Sequence, residues 1–205
     1  MTELEKMLAG KLYDPTDETI AAKRAAAHRL SKQYNDTLET DVSRRTQILS
    51  QLIPCLGENA FFQGPIQFDY GVFTSFGKNF YANFNFTVLD SCPVTIGDNV
   101  FFGPNCSVVT ALHSLLPHER NVRCKPDGSP YDLEYAAPIV IQDNCWIAAN
   151  VVICGGVTIG EGCVIGAGSV VTQDIPPGML AAGVPCKPIR PITEADSVQL
   201  KPKLL

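Results

Sequence analysis

A repeat of six residues constrains this chain more than any other feature. Residues 141–170 divide into IQDNCW, IAANVV, ICGGVT, IGEGCV and IGAGSV. Ile141, Ile147, Ile153, Ile159 and Ile165 share one phase, and Val171 continues it. The second place is small or polar throughout. The fifth holds Cys145, Val151, Val157, Cys163 and Ser169, all small. Upstream the phase returns as IGDNVF from Ile96, FGPNCS from Phe102 and VVTALH from Val108. A looser version covers Phe76 to Pro93, and an indistinct one Leu56 to Phe73.

Neither an α-helix nor a simple alternating strand has a period of six. Short strands joined by tight turns do, with the first place pointing inward and the fifth facing a crowded interior. Glycine and asparagine near the turns tolerate unusual backbone angles. Three sixes close one triangular coil, which predicts coils at 56–73, 76–93, 96–113, 141–158 and from 159 onward. The expected fold is therefore mainly β, a left-handed parallel β-helix. The phase stops after His113 and resumes at Ile141. The polar segment between, with Pro117, Pro126, Gly128 and Pro130, predicts a long loop over 114–138 thrown out from a coil corner. Loops of this length in compact domains usually carry function.

Residues 1–54 lack the repeat and predict an N-terminal helical cap. Thr2 with Glu5 reads as a capping box, and Gly10 ends that short helix. Asp14-Pro15 reads as the opening of a second helix, with proline at its first position. That helix carries Ile20, Ala25, Ala26 and Leu30 and ends near Asn35. Asp41 caps a third helix, which Pro54 stops. The β-helix then spans 55–190, and a polar tail follows over 191–205, with a last helix expected from Thr193.

Composition narrows the partners. Sixteen Lys and Arg against 21 Asp and Glu give a net charge of −5, and no basic block points to nucleic acid. The N-terminus lacks the apolar run of a signal peptide, and no stretch approaches a membrane span, so a cytoplasmic protein is expected. The eight cysteines include no CxxC pair, and neither a disulfide framework nor metal-ligand spacing is visible. Cys106, Cys145 and Cys163 occupy fifth places, where packing is the expected role.

Four stretches carry a family resemblance. They are MLAGKLYDPTDET at the start, NFYANFNFTVLD at 79–90, VTIGDNV at 94–100 and GVTIGEGCVIGAGSVVTQDIPPGMLAAGVPCKPIR at 156–190. In this order they resemble the maltose and galactoside O-acetyltransferases of the hexapeptide-repeat superfamily. The resemblance implies an acetyl-CoA-dependent enzyme that transfers acetyl directly to a sugar hydroxyl. It also implies a homotrimer with active sites between neighbouring β-helices, acetyl-CoA as donor, and no metal.

Site residues follow from the same match. His113 aligns with the catalytic histidine, and an imidazole suits a base acting near neutral pH. The chain has two other histidines: His28, read as solvated, and His118 in the loop. Asn83 is the implied donor to the oxyanion formed when the thioester is attacked. The implied acceptor contacts are Asp17, Asp69, Tyr81, and Asp90 or Ser91, groups that exchange several hydrogen bonds with a polyhydroxyl ligand. Asp17 fits a helix N-terminal carboxylate equally well. The implied coenzyme contacts are Ala149, Ala167, Thr172, Gln173, Lys187 and Arg190. Small residues let the backbone approach pantetheine, and cations pair with phosphates. Leu112 and Ser114 flank His113 where the family has other residues, and Gln173 and Lys187 replace a usual lysine and arginine.

Two other readings stay open. A zinc-dependent γ-type carbonic anhydrase shares the fold, and His113 and His118 have its HxxxxH spacing, but Gly77 stands where a third histidine belongs. A trimeric scaffold without acetyl transfer, or an acetyltransferase for a non-sugar hydroxyl, fits the same repeat.

Overall fold

The computed structural model describes residues 1–201 and 203. Its centre is a parallel β-helix with three faces. The first face stacks strands 55–56, 74–76, 94–96, 139–141 and 158–159. The second stacks 61–62, 81–82, 101–102, 146–147 and 164–165, and continues into 179–182 and 187–191. The third stacks 66–68, 86–89, 107–109, 152–154 and 170–171. One strand from each face makes a rung, and there are five rungs. The first rung, whose repeat is indistinct in sequence, is as regular as the others.

The residues of the repeat sit as their phase requires. Ile141, Ile147, Ile153, Ile159, Ile165 and Val171 are fully buried. Cys106, Cys145 and Cys163 are buried free thiols, and burial pushes all three upward, Cys145 to about 11. They are packing residues, protonated at neutral pH. Ser169, the polar member of this column, is satisfied: it donates to Gly166 O at 2.5 Å and accepts from Gly183 N at 3.1 Å.

Asparagine makes the turns. Asn59, Asn79, Asn99 and Asn144 all take left-handed φ values near 60°, which asparagine tolerates better than most residues. Their side-chain amides form a ladder from rung to rung at 3.1, 2.9 and 3.2 Å. Each amide offers a donor and an acceptor, so the column satisfies itself. Gly77 lies beside this ladder for a different reason: a Cβ there would stand 2.4 Å from Gly97 C.

The rungs are not uniform. Phe61 pairs with Tyr81 and Tyr81 with Phe101, a step of twenty residues. Trp146 pairs with Val164, a step of eighteen. The surplus lies at one corner, between the third and first faces, in residues 69–73 and 90–93. Leu56, Phe76 and Ile96, the expected coil starts, are register partners twenty residues apart, and coils of eighteen follow without a gap only after the loop. The first three rungs, with the longer perimeter, enclose Phe62, Phe68, Phe76, Phe80, Phe86 and Phe102, with ring centroids 4.4–6.4 Å apart.

Both ends of the stack are covered. Helices α1 (Glu3–Leu8), α2 (Glu18–Asn35) and α3 (Val42–Leu52) form the N-terminal cap. Thr2 and Glu5 make the expected capping box, and Asp41 caps α3. The expected start of α2 is corrected: Asp17 is its cap, bonding Thr19 N and Ile20 N, and Pro15 lies outside it. Against the open edge of the first rung, Asn35 bonds both Ile66 O and Ile66 N at 2.9 and 2.8 Å. Tyr34 donates to Phe62 O at 2.6 Å. At the far end, strand 187–191 turns back antiparallel on 179–182. The tail forms two 3-10 turns, Glu194–Asp196 and Val198–Leu200, in place of the expected helix.

The 114–138 segment is structured. It holds one helical turn, α4 (Pro117–Arg120), and a small hairpin of strands 123–124 and 130–131. Strand 135–136 then returns antiparallel to 111–112. No helix among the described residues is long and apolar enough to cross a membrane.

Candidate active site

His113 emerges at the surplus corner of the third rung, half exposed. Its surroundings follow from strand register. Leu112 faces Tyr135 and Ala111 faces Ala136, so the next facing pair is His113 with Glu134. Glu134 in turn forms an antiparallel bridge with Tyr13 from the N-terminal cap. Both bridge bonds are made, Tyr13 N to Glu134 O at 2.9 Å and Glu134 N to Tyr13 O at 3.1 Å. Side chains of directly opposed residues lie on one face of such a pair. Tyr13, Glu134 and His113 therefore stand in a row, drawn from three distant segments. The Tyr13 hydroxyl donates to Glu134 Oε2 at 2.7 Å, and Glu134 Oε1 lies 3.9 Å from His113 Nε2. Burial pushes the Tyr13 hydroxyl well above the usual phenol range, so it remains a donor.

Chemically, this row is an imidazole facing a carboxylate that a buried hydroxyl restrains. A carboxylate near an imidazole stabilises the imidazolium formed when it takes a proton. Neither Glu134 nor Tyr13 stands out in the sequence as a site residue. Glu134 lies in the aperiodic loop, 121 residues from Tyr13, and only the return of strand 135–136 brings them together. Asp132 approaches too: donor atoms of His113, Asp132 and Glu134 lie within 4.8 Å of one another. The three form a compact acid–base cluster whose spacing is also that of a group able to approach a metal ion. His118, the second histidine of the HxxxxH spacing, is exposed on α4 and outside the cluster.

A second tie joins the loop to the cap. Lys125 on the hairpin pairs with Asp14 Oδ2 at 2.6 Å and donates to Thr16 Oγ1 at 2.9 Å. Although burial raises the Asp14 carboxyl, bonds from Lys125 and Thr16 hold it below its ordinary value. Gly10 runs close by, and a Cβ there would stand 2.8 Å from Ala136 O.

The expected acceptor contacts divide. Asp69, on the surplus corner, lies 3.4 Å from His28 Nε2, so His28 is exposed yet partnered rather than merely solvated. Asp17 is half-buried and caps α2. Asp90 and Ser91 need correction. Asp90 is fully buried; its Oδ1 accepts from Tyr70 N at 2.8 Å and its Oδ2 from Thr74 Oγ1 at 3.0 Å. Ser91 is buried beside the Tyr13 hydroxyl. Both brace the corner from within, and neither presents a surface to a ligand.

Asn83 and Tyr81 stand elsewhere. Asn83 follows strand 81–82 at the corner between the second and third faces. Strand 86–89 separates it from the His113 corner, about 13 Å at 3.3 Å per residue. Its Oδ1 accepts from Phe84 N at 2.8 Å, which leaves the amide NH2 free among the described residues. Tyr81 stacks between Phe61 and Phe101 at 5.9 and 6.4 Å on the outer side of the second face.

Ala149 and Ala167 fall on the Asn83 corner, below Gly103, whose Cβ would stand 2.7 Å from Ala149 N. This small-residue column leaves backbone uncovered, as an extended pantetheine requires. Thr172 and Gln173 are exposed at the opposite edge of the third face. Lys187 is exposed on the returning strand. Arg190 is on the same strand but is committed to Asp196 by two bonds, at 2.6 and 2.7 Å.

Comparisons with known proteins agree with this architecture. Residues 6–57 match the maltose acetyltransferase hexapeptide capping motif. Residues 138–173 match the bacterial transferase hexapeptide, and residues 93–112 the hexapeptide repeat of succinyl-transferase. Galactoside O-acetyltransferase of Escherichia coli (strain K12) is 41% identical over 196 residues, 96% of this chain and 92% of that protein. The crystal structure of a maltose O-acetyltransferase from Clostridium difficile 630 superposes with a TM-score of 0.87 at 43% identity, covering 95% of this chain and 99% of that one. A galactoside acetyltransferase in complex with coenzyme A has the same TM-score at 40% identity, covering 96% and 94%. With its capping segment, its repeat and its full-length relatives in agreement, the chain belongs to the maltose and galactoside O-acetyltransferases of the hexapeptide-repeat superfamily.

Proposed function

We propose that the chain transfers the acetyl group of acetyl-CoA directly to a hydroxyl of a sugar of the maltose, glucose or galactoside type, with His113 as general base. The observation that carries this reading is the half-exposed His113 imidazole facing a carboxylate at an open corner. The acceptor hydroxyl attacks the thioester carbonyl carbon while an imidazole nitrogen takes its proton. Glu134 stabilises the imidazolium. The tetrahedral oxyanion collapses, the C–S bond breaks, and the departing sulfur receives the proton from the imidazolium. Asn83 donates to the oxyanion. Asp17, Asp69 and Tyr81 hold the acceptor.

Asn83 and His113 occupy opposite edges of the third face, so one chain does not assemble both. A homotrimer with sites between neighbouring β-helices does. In support, the second face presents an outward column of Phe61, Tyr81, Phe101, Trp146, Val164 and Leu180, of which Phe61, Phe101 and Trp146 are about half exposed. In the same assembly Ala149 and Ala167 of one protomer face Thr172 and Gln173 of the next, and Lys187 pairs with a coenzyme phosphate. Eight free thiols suit a reducing, cytoplasmic compartment.

Thiol release from acetyl-CoA, followed with glucosides, galactosides, maltose, serine and chloramphenicol, tests the reading. Acceptor-dependent release is expected with sugars, and His113→Ala should lower kcat by about 10²–10⁴-fold. Release with serine or chloramphenicol alone moves the enzyme to a non-sugar hydroxyl. No release and no acetyl-CoA binding leaves the scaffold.

A further inference from the structure

We propose that Tyr13 is a positioning residue for acetyl transfer: its buried hydroxyl holds the Glu134 carboxylate in the orientation that faces His113. The inference rests on His113 acting as base, and assigns part of the catalytic geometry to the N-terminal cap. Tyr13 has no exposed surface, and its ring packs with Met7, Ile20 and Tyr70. A phenylalanine would fill that space equally well. The hydroxyl must therefore find an acceptor in a site closed to water, since an unpaired buried hydroxyl is costly. The acceptor it takes is Glu134 Oε2, at 2.7 Å. The bond uses one carboxylate oxygen and turns the other, Oε1, toward the imidazole.

The backbone enforces the same arrangement. Because Tyr13 and Glu134 exchange both peptide hydrogen bonds, their side chains leave the pair on one side. Glu134 is only one-fifth exposed, and its backbone is fixed on one side by Tyr13 and on the other by strand 135–136. Its side-chain torsions remain, and the hydroxyl restrains those. Without it the carboxylate is free to turn toward solvent. Lys125 on Asp14 and Thr16 keeps residues 13–16 against the loop, so the clamp closes from both ends.

The experiment is a double-mutant cycle on the intact protein, with Tyr13→Phe, Glu134→Gln and both together. Steady-state kinetics use acetyl-CoA and the best sugar acceptor, and turnover is counted per chain that binds coenzyme A, so a loss of folded protein does not register as lost catalysis. Tyr13→Phe is expected to lower kcat about 5- to 20-fold while leaving KM for acetyl-CoA unchanged. In the Glu134→Gln background the same change should cost less than twofold, because the carboxylate it orients is gone. An equal loss in both backgrounds, or a loss confined to KM, overturns the positioning role and leaves Tyr13 a packing residue. An unchanged kcat in Tyr13→Phe, beside a large loss in His113→Ala, overturns it as well. If His113→Ala itself retains kcat, the base assignment fails first, and this inference falls with it.

Discussion

The three rungs before the loop advance by twenty residues and carry all six buried phenylalanines, five of them in the first two rungs, while the two after it advance by eighteen and are filled with isoleucine, valine and cysteine. A longer perimeter encloses a wider interior, and aromatic rings fill it where aliphatic side chains suffice in the narrow part. The difference sits at one corner. In the wide rungs that corner holds Asp69, Tyr70, Asp90 and Ser91, and in the third rung it opens into the loop with His113. In the fourth rung the same corner is Gly155-Gly156, and in the fifth it is Thr172-Gln173. The base and the acidic groups around it enter where the repeat takes in extra residues, while Asn83 and the small-residue column of Ala149 and Ala167 lie on the regular corner.

The largest effect should come from emptying the wide interior. Phe86→Ala removes a ring with no exposure that lies 4.9 Å from Phe102 and 5.8 Å from Phe80. A loss of about 3–5 kcal/mol in unfolding free energy is expected from denaturant titration. A loss below 1 kcal/mol would mean that the wide rungs collapse to the narrow cross-section. In the narrow part, Ile153→Val removes one methylene and should cost about 0.5–1.5 kcal/mol. A larger cost there would reverse the comparison.

The smallest effect is a slope. Burial pushes the Asp90 carboxyl upward. The native protein therefore keeps a proton that the unfolded chain releases near pH 4. Stability contributed through Asp90 falls as pH rises from that value, and levels once the native carboxyl has also ionised. Asp90→Asn should remove this fall from the stability–pH curve. Identical slopes in both proteins would show that the bonds from Tyr70 and Thr74 keep Asp90 ionised throughout.

The sequence is most legible where the chain is most regular. Ile141 to Val171 announce their direction because each repeats the local environment of the one before. The first rung is faint because Phe62 and Phe68 replace the expected aliphatics and residues 69–73 break the phase. Asp14-Pro15 and Asp17 both offer a helix opening in the sequence, and only the bonds to Thr19 N and Ile20 N decide for Asp17. His113 was visible as the residue where the repeat fails. Its neighbours were not. The Tyr13–Glu134 pairing spans 121 residues and leaves no period in either segment. Asp90 and Ser91 follow from the family match, which does not tell a ligand contact from a corner brace; burial does.

The covered ends of the stack have a consequence for self-association. A parallel solenoid presents the same unpaired peptide edge at each terminus as it uses inside, so an uncovered terminus is a template for another molecule. Head-to-tail addition of this kind does not close, and it grows fibres rather than rings. Asn35 occupies the edge at Ile66 with a side-chain amide that imitates a peptide group and then stops. At the other terminus, strand 187–191 runs antiparallel, a direction in which the solenoid does not propagate. The asparagine, the tyrosine beside it on Phe62 O and the reversed strand thus each help keep a fold built for unlimited extension at a finite length.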